Sequence, residues 1–350
     1  MSQTDGLEGV VAASTRLSRV DGEAGTLILA GYAVENLAPH ATFEEVARLF
    51  VHADLRADRR AIPAATVALL REAVARRALP MDALLMATPT LRVDQPEDVI
   101  AAFPTIVGTY WRLLNGLAPV PVREDLSHAA HYLHQLTGED PTPGHVRALE
   151  TYLNTVSDHG LNASTFTARV IASTQSDVIA AVTGALAALK GPLHGGAPGP
   201  ALDMVFEIGT PDRAEAVIRA KLDAGERLMG FGHRVYRVRD PRADVLAAAA
   251  ERLYSNGADR RVYDLARSVE RTALRLLHAH KPERRLDTNV EFYTALLLHG
   301  LGLPTALFTP TFAVGRVVGW CAHYLEQRRD GRLIRPQSEY IGPVGLQYVA

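Results

Sequence analysis

Residues 42–50 read Thr42-Phe43-Glu44-Glu45-Val46-Ala47-Arg48-Leu49-Phe50, and their spacing decides the fold class. Phe43, Val46, Leu49 and Phe50 fall on one side of a 3.6-residue period, the pattern of a helix packing one face on a core. The same period dominates everything downstream, which makes the chain mainly α. Upstream the pattern differs. Residues 8–34 alternate apolar and polar positions around Asp21-Gly22, a turn pair favoured in hairpins, with residues 27–34 as the return strand. One small N-terminal β-hairpin is therefore expected.

Several helix ends are legible, and chemistry-bearing residues lie beside them. Ser176 or Asp177 can cap a helix whose apolar face includes Val178, Val182, Leu186 and Leu189, and Lys190-Gly191-Pro192 reads as its stop, leaving His194 just beyond. Thr210-Pro211 and Asp240-Pro241 each pair a capping side chain with proline at the first helical position. Gly225 ends the first of these two helices, and residues 229–233 form a loop before the second. No internal repeat, low-complexity linker or charge block divides the 350 residues.

Composition excludes several classes. The 37 basic and 39 acidic residues nearly cancel, so no overall field gathers nucleic acid or an acidic membrane. One cysteine, Cys321, permits neither an intrachain disulfide nor a Cys-based zinc cluster. No stretch has the length and apolarity of a transmembrane helix, and residues 1–6 do not open a secretory signal. A cytoplasmic location is expected. Lysine accounts for only three of the basic residues, so an isolated arginine carries little information.

Three of the thirteen histidines sit beside glycine near helix ends: His159 in Asp158-His159-Gly160, His194 in His194-Gly195-Gly196, and His233 after Gly230-Phe231-Gly232. Glycine there lets backbone approach a ligand closely. No HExxH or close ligand pair points to a metal, and none is expected. His128, His131 and His134 are spaced like a metal stripe, but they drift off one helix face and lack accompanying carboxylates, so packing explains them. Thr288-Asn289-Val290-Glu291 fits a capping box opening a helix, a complete structural account of Glu291. The functional alternative is a general base at a helix N-terminus.

Six motifs in order turn these fragments into a family resemblance. They are Ser157-Asp158-His159-Gly160-Leu161-Asn162, Gly191-Pro192-Leu193-His194-Gly195-Gly196, Gly230-Phe231-Gly232-His233-Arg234-Val235-Tyr236-Arg237, Asp240-Pro241-Arg242, Asn289-Val290-Glu291-Phe292-Tyr293 and Arg335-Pro336-Gln337-Ser338. Together they closely resemble the citrate synthase family. Leu7-Glu8-Gly9-Val10 and Gly31-Tyr32 extend the likeness, more loosely, toward the N-terminus.

The resemblance implies a two-domain helical fold, with a large domain over residues 1–195 and 301–350 and a small one over 196–300. It implies that His194 hydrogen-bonds the acetyl-CoA thioester oxygen, that Glu291 removes the methyl proton, and that His233 polarises the oxaloacetate carbonyl. Citryl-CoA then hydrolyses to citrate and CoA. His159, Arg242 and Arg316 match oxaloacetate-holding residues, and Arg335 matches one that reaches the partner's site in a homodimer. Met229, Gly230, Phe231 and Gly232 resemble the adenine-binding backbone, with Arg237 and Arg285 suited to CoA phosphates. No cofactor beyond the acyl-CoA substrate is implied. The alternatives are a 2-methylcitrate synthase using propionyl-CoA, and a non-catalytic paralogue that binds CoA or oxaloacetate.

The chemistry suits these roles. Enolising a thioester develops charge on its oxygen while a base takes the carbon-bound proton, so donor and base must act together. Guanidinium groups match the planar carboxylates of a dianion. Two positions depart from the family pattern. Many relatives carry aspartate where this chain has Glu291, and arginine where it has Ala30. A displacement of about 1 Å can cost around a hundredfold in rate, so the longer side chain implies a compensating backbone position.

Overall fold

The computed structural model describes residues 5–7, 9–195, 198–233, 235–255, 259–283 and 286–348. Near the N-terminus, β1 (Ser18–Asp21), β2 (Thr26–Leu29) and β3 (Tyr32–Ala33) form an antiparallel meander in that order. Ser18 pairs with Leu29 and Asp21 with Thr26, so the turn falls just after Asp21, as its sequence implies. The sheet has one strand more than the sequence pattern indicates. The return strand expected over residues 27–34 breaks at Ala30 and Gly31, whose φ angles are 47° and 92°. Paired left-handed residues reverse the chain, and Val34 already opens a helix.

Fifteen α-helices follow among the described residues: α1 (Val34–Leu37), α2 (Phe43–Val51), α3 (Ala64–Ala75), α4 (Pro80–Ala87), α5 (Pro96–Leu114), α6 (His128–Thr137), α7 (Pro143–Val156), α8 (Ala163–Ser173), α9 (Val178–Leu189), α10 (Pro198–Ile208), α11 (Ala214–Asp223), α12 (Pro241–Ser255), α13 (Arg260–His280), α14 (Val290–Gly300) and α15 (Phe308–Asp330). The fold is mainly α. In α2, Thr42 and Glu45 close a capping box, and Phe43, Val46 and Phe50 are buried while Leu49 packs at the edge. Asp177, not Ser176, caps α9 by accepting from the backbone N–H of Ala180, and the predicted face Val178, Val182, Leu186 and Leu189 is buried. Thr210 makes no side-chain cap, because a short 3-10 turn (Pro211–Arg213) precedes α11. At α12 the prediction holds: Asp240 Oδ1 accepts from the N–H of Arg242, one residue after Pro241.

The long helix α15 is the axis of the core, packing on α2, α5, α7, α8 and α9. Trp320 on α15 is fully buried, and truncating such a side chain costs about 3–5 kcal/mol. Gly319 lets α15 lie against the end of α7. A Cβ there would fall 2.3 Å from the carbonyl oxygen of Ser157, and the Gly319 N–H donates to that oxygen over 3.1 Å. This contact pins the loop carrying His159. Helices α10 to α14 form a second packed group, in which α12 lies on α14 and α11 on α13; α12 also touches α7 and α1. No single described helix is long and apolar enough to cross a membrane.

The buried histidines of α6 fit their packing role. His128 stacks on Phe43 with ring centroids 4.5 Å apart, His131 Nε2 meets the Thr105 hydroxyl, and His134 Nδ1 meets the carbonyl of Glu139. Among the described residues no group of histidine, cysteine, aspartate or glutamate could hold a metal ion.

Candidate active site

The structure brings His159, His194, His233, Arg242, Arg316 and Glu291 to one cleft of about 1240 Å³, with residues 228–232 and Arg237 along its rim. Sequence separations exceeding a hundred residues are closed by the packing of α7, α12, α14 and α15. Arg335 does not line this cleft. It is exposed on the segment after α15 and borders an adjoining cavity of about 760 Å³ with Arg16 and Arg169, which shares Leu7, Val10, Ala12 and Phe166 with the cleft. Arg285 lies outside the described residues.

His233 shows how backbone sets a ring's chemistry. Its Nδ1 accepts from the N–H groups of Val235 and Tyr236 at 3.0 and 3.1 Å, so the single proton of the neutral imidazole sits on Nε2. Arg242 Nη2 lies 3.3 Å from that Nε2. Both are donors. They do not satisfy one another, and their shared requirement is an acceptor placed between them, such as a carbonyl oxygen. Asp240 holds the guanidinium of Arg242 through Nε at 3.0 Å and Nη2 at 2.8 Å, a bidentate pair at the start of α12.

One further imidazole and one further guanidinium complete this wall. His159 Nε2 lies 3.1 Å from the Tyr236 hydroxyl, and its ring meets that of His233 edge-on with centroids 5.9 Å apart. Arg316, only 1% exposed, donates from Nε to the carbonyl of Val156 at 2.6 Å and lies over the ring of Phe312. Burial lowers the pKa of Arg316 to about 10, which still leaves it charged at neutral pH. Burial, aided by Arg242 and Arg316, also holds His159 well below the usual imidazole range. The pKa values of His194 and His233 fall to about 4 for the same reason, with Arg316 and Arg242 adding repulsion. All three imidazoles are neutral at pH 7.

Glu291 departs from the capping reading. Asn289 caps α14 by accepting from the Glu291 N–H at 3.0 Å, while the Thr288 hydroxyl turns away to Glu270 at 2.7 Å. With Asn289 as the cap, Glu291 stands one residue too early for the reciprocal capping-box bond. No described residue hydrogen-bonds its carboxylate. Desolvation raises its pKa to about 7, with Arg242 and Arg316 opposing and Asp240 reinforcing. A carboxylate so placed is poised to exchange a proton near neutrality.

The loop that leads to Glu291 is anchored to the rim. Gly232 N–H donates to the carbonyl of Asp287 at 2.7 Å, Asn289 N–H to that of Gly230 at 3.0 Å, and Asn289 Nδ2 to that of Gly232 at 2.7 Å. Gly230 and Gly232 have φ of 89° and 76°, and a Cβ at Gly230 would lie 3.0 Å from the Phe292 side chain. The glycines of this motif thus permit both the turn and the close pairing.

Residues to which the sequence reading gave no site role also shape the cleft. Ser164 contacts His194, Tyr236 contacts His159, Asp240 orients Arg242, and Arg227 joins the rim. Tyr236 and Asp240 fell within the quoted motifs without a role of their own, and Asp240 was read as a cap.

Comparison with known proteins places this geometry among relatives. The family model described as citrate synthase, C-terminal domain, matches residues 6–337. The chain is 38% identical to citrate synthase 2 of Bacillus subtilis (strain 168), over 100% of this chain and 98% of the relative. It is 36% identical to the citrate synthase of Haloferax volcanii, over 98% of this chain and 97% of the relative. The crystal structure of citrate synthase from Pyrobaculum aerophilum superposes with a TM-score of 0.89 at 36% identity, covering 99% of this chain and 94% of that one. A ternary complex of carboxymethyl coenzyme A and oxaloacetate with citrate synthase from Thermoplasma acidophilum gives 0.88 at 31% identity, covering 99% and 98%.

Proposed function

The chain belongs to the citrate synthase family of acyl-transferring enzymes, and from that premise we propose that it condenses acetyl-CoA with oxaloacetate and hydrolyses citryl-CoA to citrate and CoA. The observation that carries this reading is one cleft holding a carboxylate with pKa about 7, three neutral imidazoles and two buried guanidinium groups.

In this reading oxaloacetate binds between Arg242 and Arg316, with His159 alongside, and its keto oxygen takes the two donors converging from His233 Nε2 and Arg242 Nη2. His194 donates to the thioester oxygen while Glu291 takes a methyl proton, so charge is stabilised where it develops. The enol carbon then attacks the polarised ketone. Residues 228–232 and Arg237 receive the CoA moiety. Closure of the helices α10 to α14 on the remainder excludes water during condensation. The chain acts as a homodimer, with Arg335, which does not line its own cleft, completing the site of the other copy.

The test is release of CoA thiol by the purified chain with oxaloacetate and either acetyl-CoA or propionyl-CoA. Faster turnover of acetyl-CoA supports this reading. A preference for propionyl-CoA assigns 2-methylcitrate synthesis, and no release with either rejects both.

A further inference from the structure

Glu270, on α13, lies outside the cleft and is 3% exposed, yet both of its oxygens are fully engaged. Oε1 accepts from the Thr288 hydroxyl at 2.7 Å and Arg239 Nη1 at 3.2 Å. Oε2 accepts from the Tyr293 hydroxyl at 2.6 Å and Arg267 Nη1 at 2.7 Å. Arg267 Nη1 also contacts the Tyr293 hydroxyl.

The identity of these donors gives the cluster its meaning. Thr288 and Tyr293 bracket Glu291, one on the loop before α14 and one on its first turns. Arg239 immediately precedes Asp240, whose carboxylate grips Arg242 and accepts from the first N–H of α14, that of Val290, at 3.3 Å. One buried carboxylate therefore ties together the segment that carries the proton acceptor and the segment that carries His233 and Arg242. Packing alone does not explain the choice of residue, because an apolar side chain would leave two guanidinium groups and two hydroxyls without their acceptor.

We infer that Glu270 is a positioning residue for the condensation, setting Glu291 relative to His233 and Arg242 through Thr288, Tyr293 and Arg239. It touches no reacting atom. Its effect falls on kcat, since a carboxylate misplaced by about 1 Å loses around a hundredfold in rate while the arginines still hold the dianion. This inference rests on the proposed citrate synthase reaction for its kinetic expression, but its structural content does not.

The experiment compares Glu270→Gln and Thr288→Val with the unmodified chain. The amide keeps the shape but turns an NH2 group toward two donors, so kcat is expected to fall at least tenfold with KM for oxaloacetate changed less than twofold. Thr288→Val removes one tie and should give a smaller loss, and the double variant should be no slower than Glu270→Gln. Hydrogen exchange supplies a readout independent of turnover. Amides of residues 230–232 and 287–290 should exchange at least tenfold faster in Glu270→Gln, while those of α15 keep their rates. Should Glu270→Gln fail to fold, Thr288→Val and Tyr293→Phe carry the same two readouts. Unchanged exchange in the two segments, or a KM rising in step with any loss of kcat, overturns the inference. If the unmodified chain shows no turnover the proposed reaction fails, and the exchange data still decide the role of Glu270.

Discussion

Nε2 of His194 lies 2.8 Å from the hydroxyl of Ser164, and the backbone N–H of Ser164 points at the same nitrogen from 3.4 Å. A backbone N–H can only donate, so Nε2 is the bare nitrogen and Nδ1 carries the proton of the neutral ring. Trp320 Nε1 donates to the Ser164 oxygen at 3.0 Å, and the serine hydroxyl has two acceptors at 2.8 Å, Asn162 Oδ1 and His194 Nε2. The Ser164 backbone N–H behind the ring thus leaves Nδ1 as the donor of His194, the form that the proposed reaction requires at the enolate oxygen. Ser164→Ala is expected to lower kcat about tenfold through loss of this orientation, leaving oxaloacetate affinity unchanged. Steady-state kinetics with each substrate varied in turn provide the check.

Glu291 carries opposing demands of activity and stability. Replacing it with glutamine should reduce condensation by a factor of about 10² to 10⁴, the usual range for a lost general base. Its folded pKa is raised, so the protonated form favours folding, and that contribution is full below the unfolded value of 4.5 and lost as pH rises through about 7. Glu291→Gln should therefore melt higher than the unmodified chain at pH 8, by roughly 3 kcal/mol of stability, and by less than about 1 kcal/mol at pH 5. Calorimetry at the two pH values separates this from a general packing effect. An equal shift at both would deny the carboxylate its desolvated environment.

The same group sets the pH dependence of turnover. Glu291 must be ionised to accept a proton, and its pKa of about 7 places the transition near neutrality. The rate kcat/KM for the acyl-CoA should rise about tenfold per pH unit below that value and level off above it. The histidines, with pKa values of about 4, are neutral throughout this range and add no second limb. A profile flat between pH 5.5 and 8, a span of roughly one and a half decades in the expected rate, would remove Glu291 from the role of base.

His128 predicts a separate acid sensitivity. Its ring is buried against Phe43 with both nitrogens unpartnered among the described residues, and burial, reinforced by the charge of Arg60, pushes its pKa well below 6.5. A depressed imidazole contributes stability above the unfolded pKa and loses it as pH falls below 6.5, at about 1.4 kcal/mol per pH unit for one proton. His128→Leu should remove about 2 kcal/mol of the stability lost between pH 6.5 and 5, read from denaturant midpoints at each pH. If the acid loss is undiminished in the variant, protonation elsewhere drives it.

Which features were legible in the sequence follows from how local their causes are. The period over residues 42–50 and the Asp177 cap depend on neighbours a few residues away, and both appear as read. Ala30 hid the break before β3, because a non-glycine residue at a φ of 47° is rare enough to carry no signal. Thr288 misled for the opposite reason. Its local capping pattern is sound, but Glu270, eighteen residues earlier in sequence and adjacent only in the fold, takes the hydroxyl. The cleft residues could be gathered through family motifs. Ser164 and Tyr236, which orient the rings, act through contacts 30 and 77 residues distant that no spacing rule reports.

The placement of Arg335 makes the proposed dimer testable through activity. The residue lies exposed on the segment after α15 and does not line the cleft of its own chain, and in the proposed dimer it serves the other copy's site. Arg335→Ala alone and Glu291→Gln alone should each be nearly inactive. In a mixed dimer, the subunit with Arg335→Ala keeps its own Glu291 and receives Arg335 from the Glu291→Gln subunit, so one of its two sites is intact. Random reassortment of the two variants should then restore roughly a quarter of the unmodified turnover, half the dimers being mixed and half their sites complete. The measurement is CoA release after the two inactive proteins are unfolded together and refolded, against the same proteins refolded separately and pooled. Activity in the co-refolded sample alone requires a shared site. If neither sample recovers turnover, Arg335 acts within its own chain, and equal turnover in both means that the residue is dispensable.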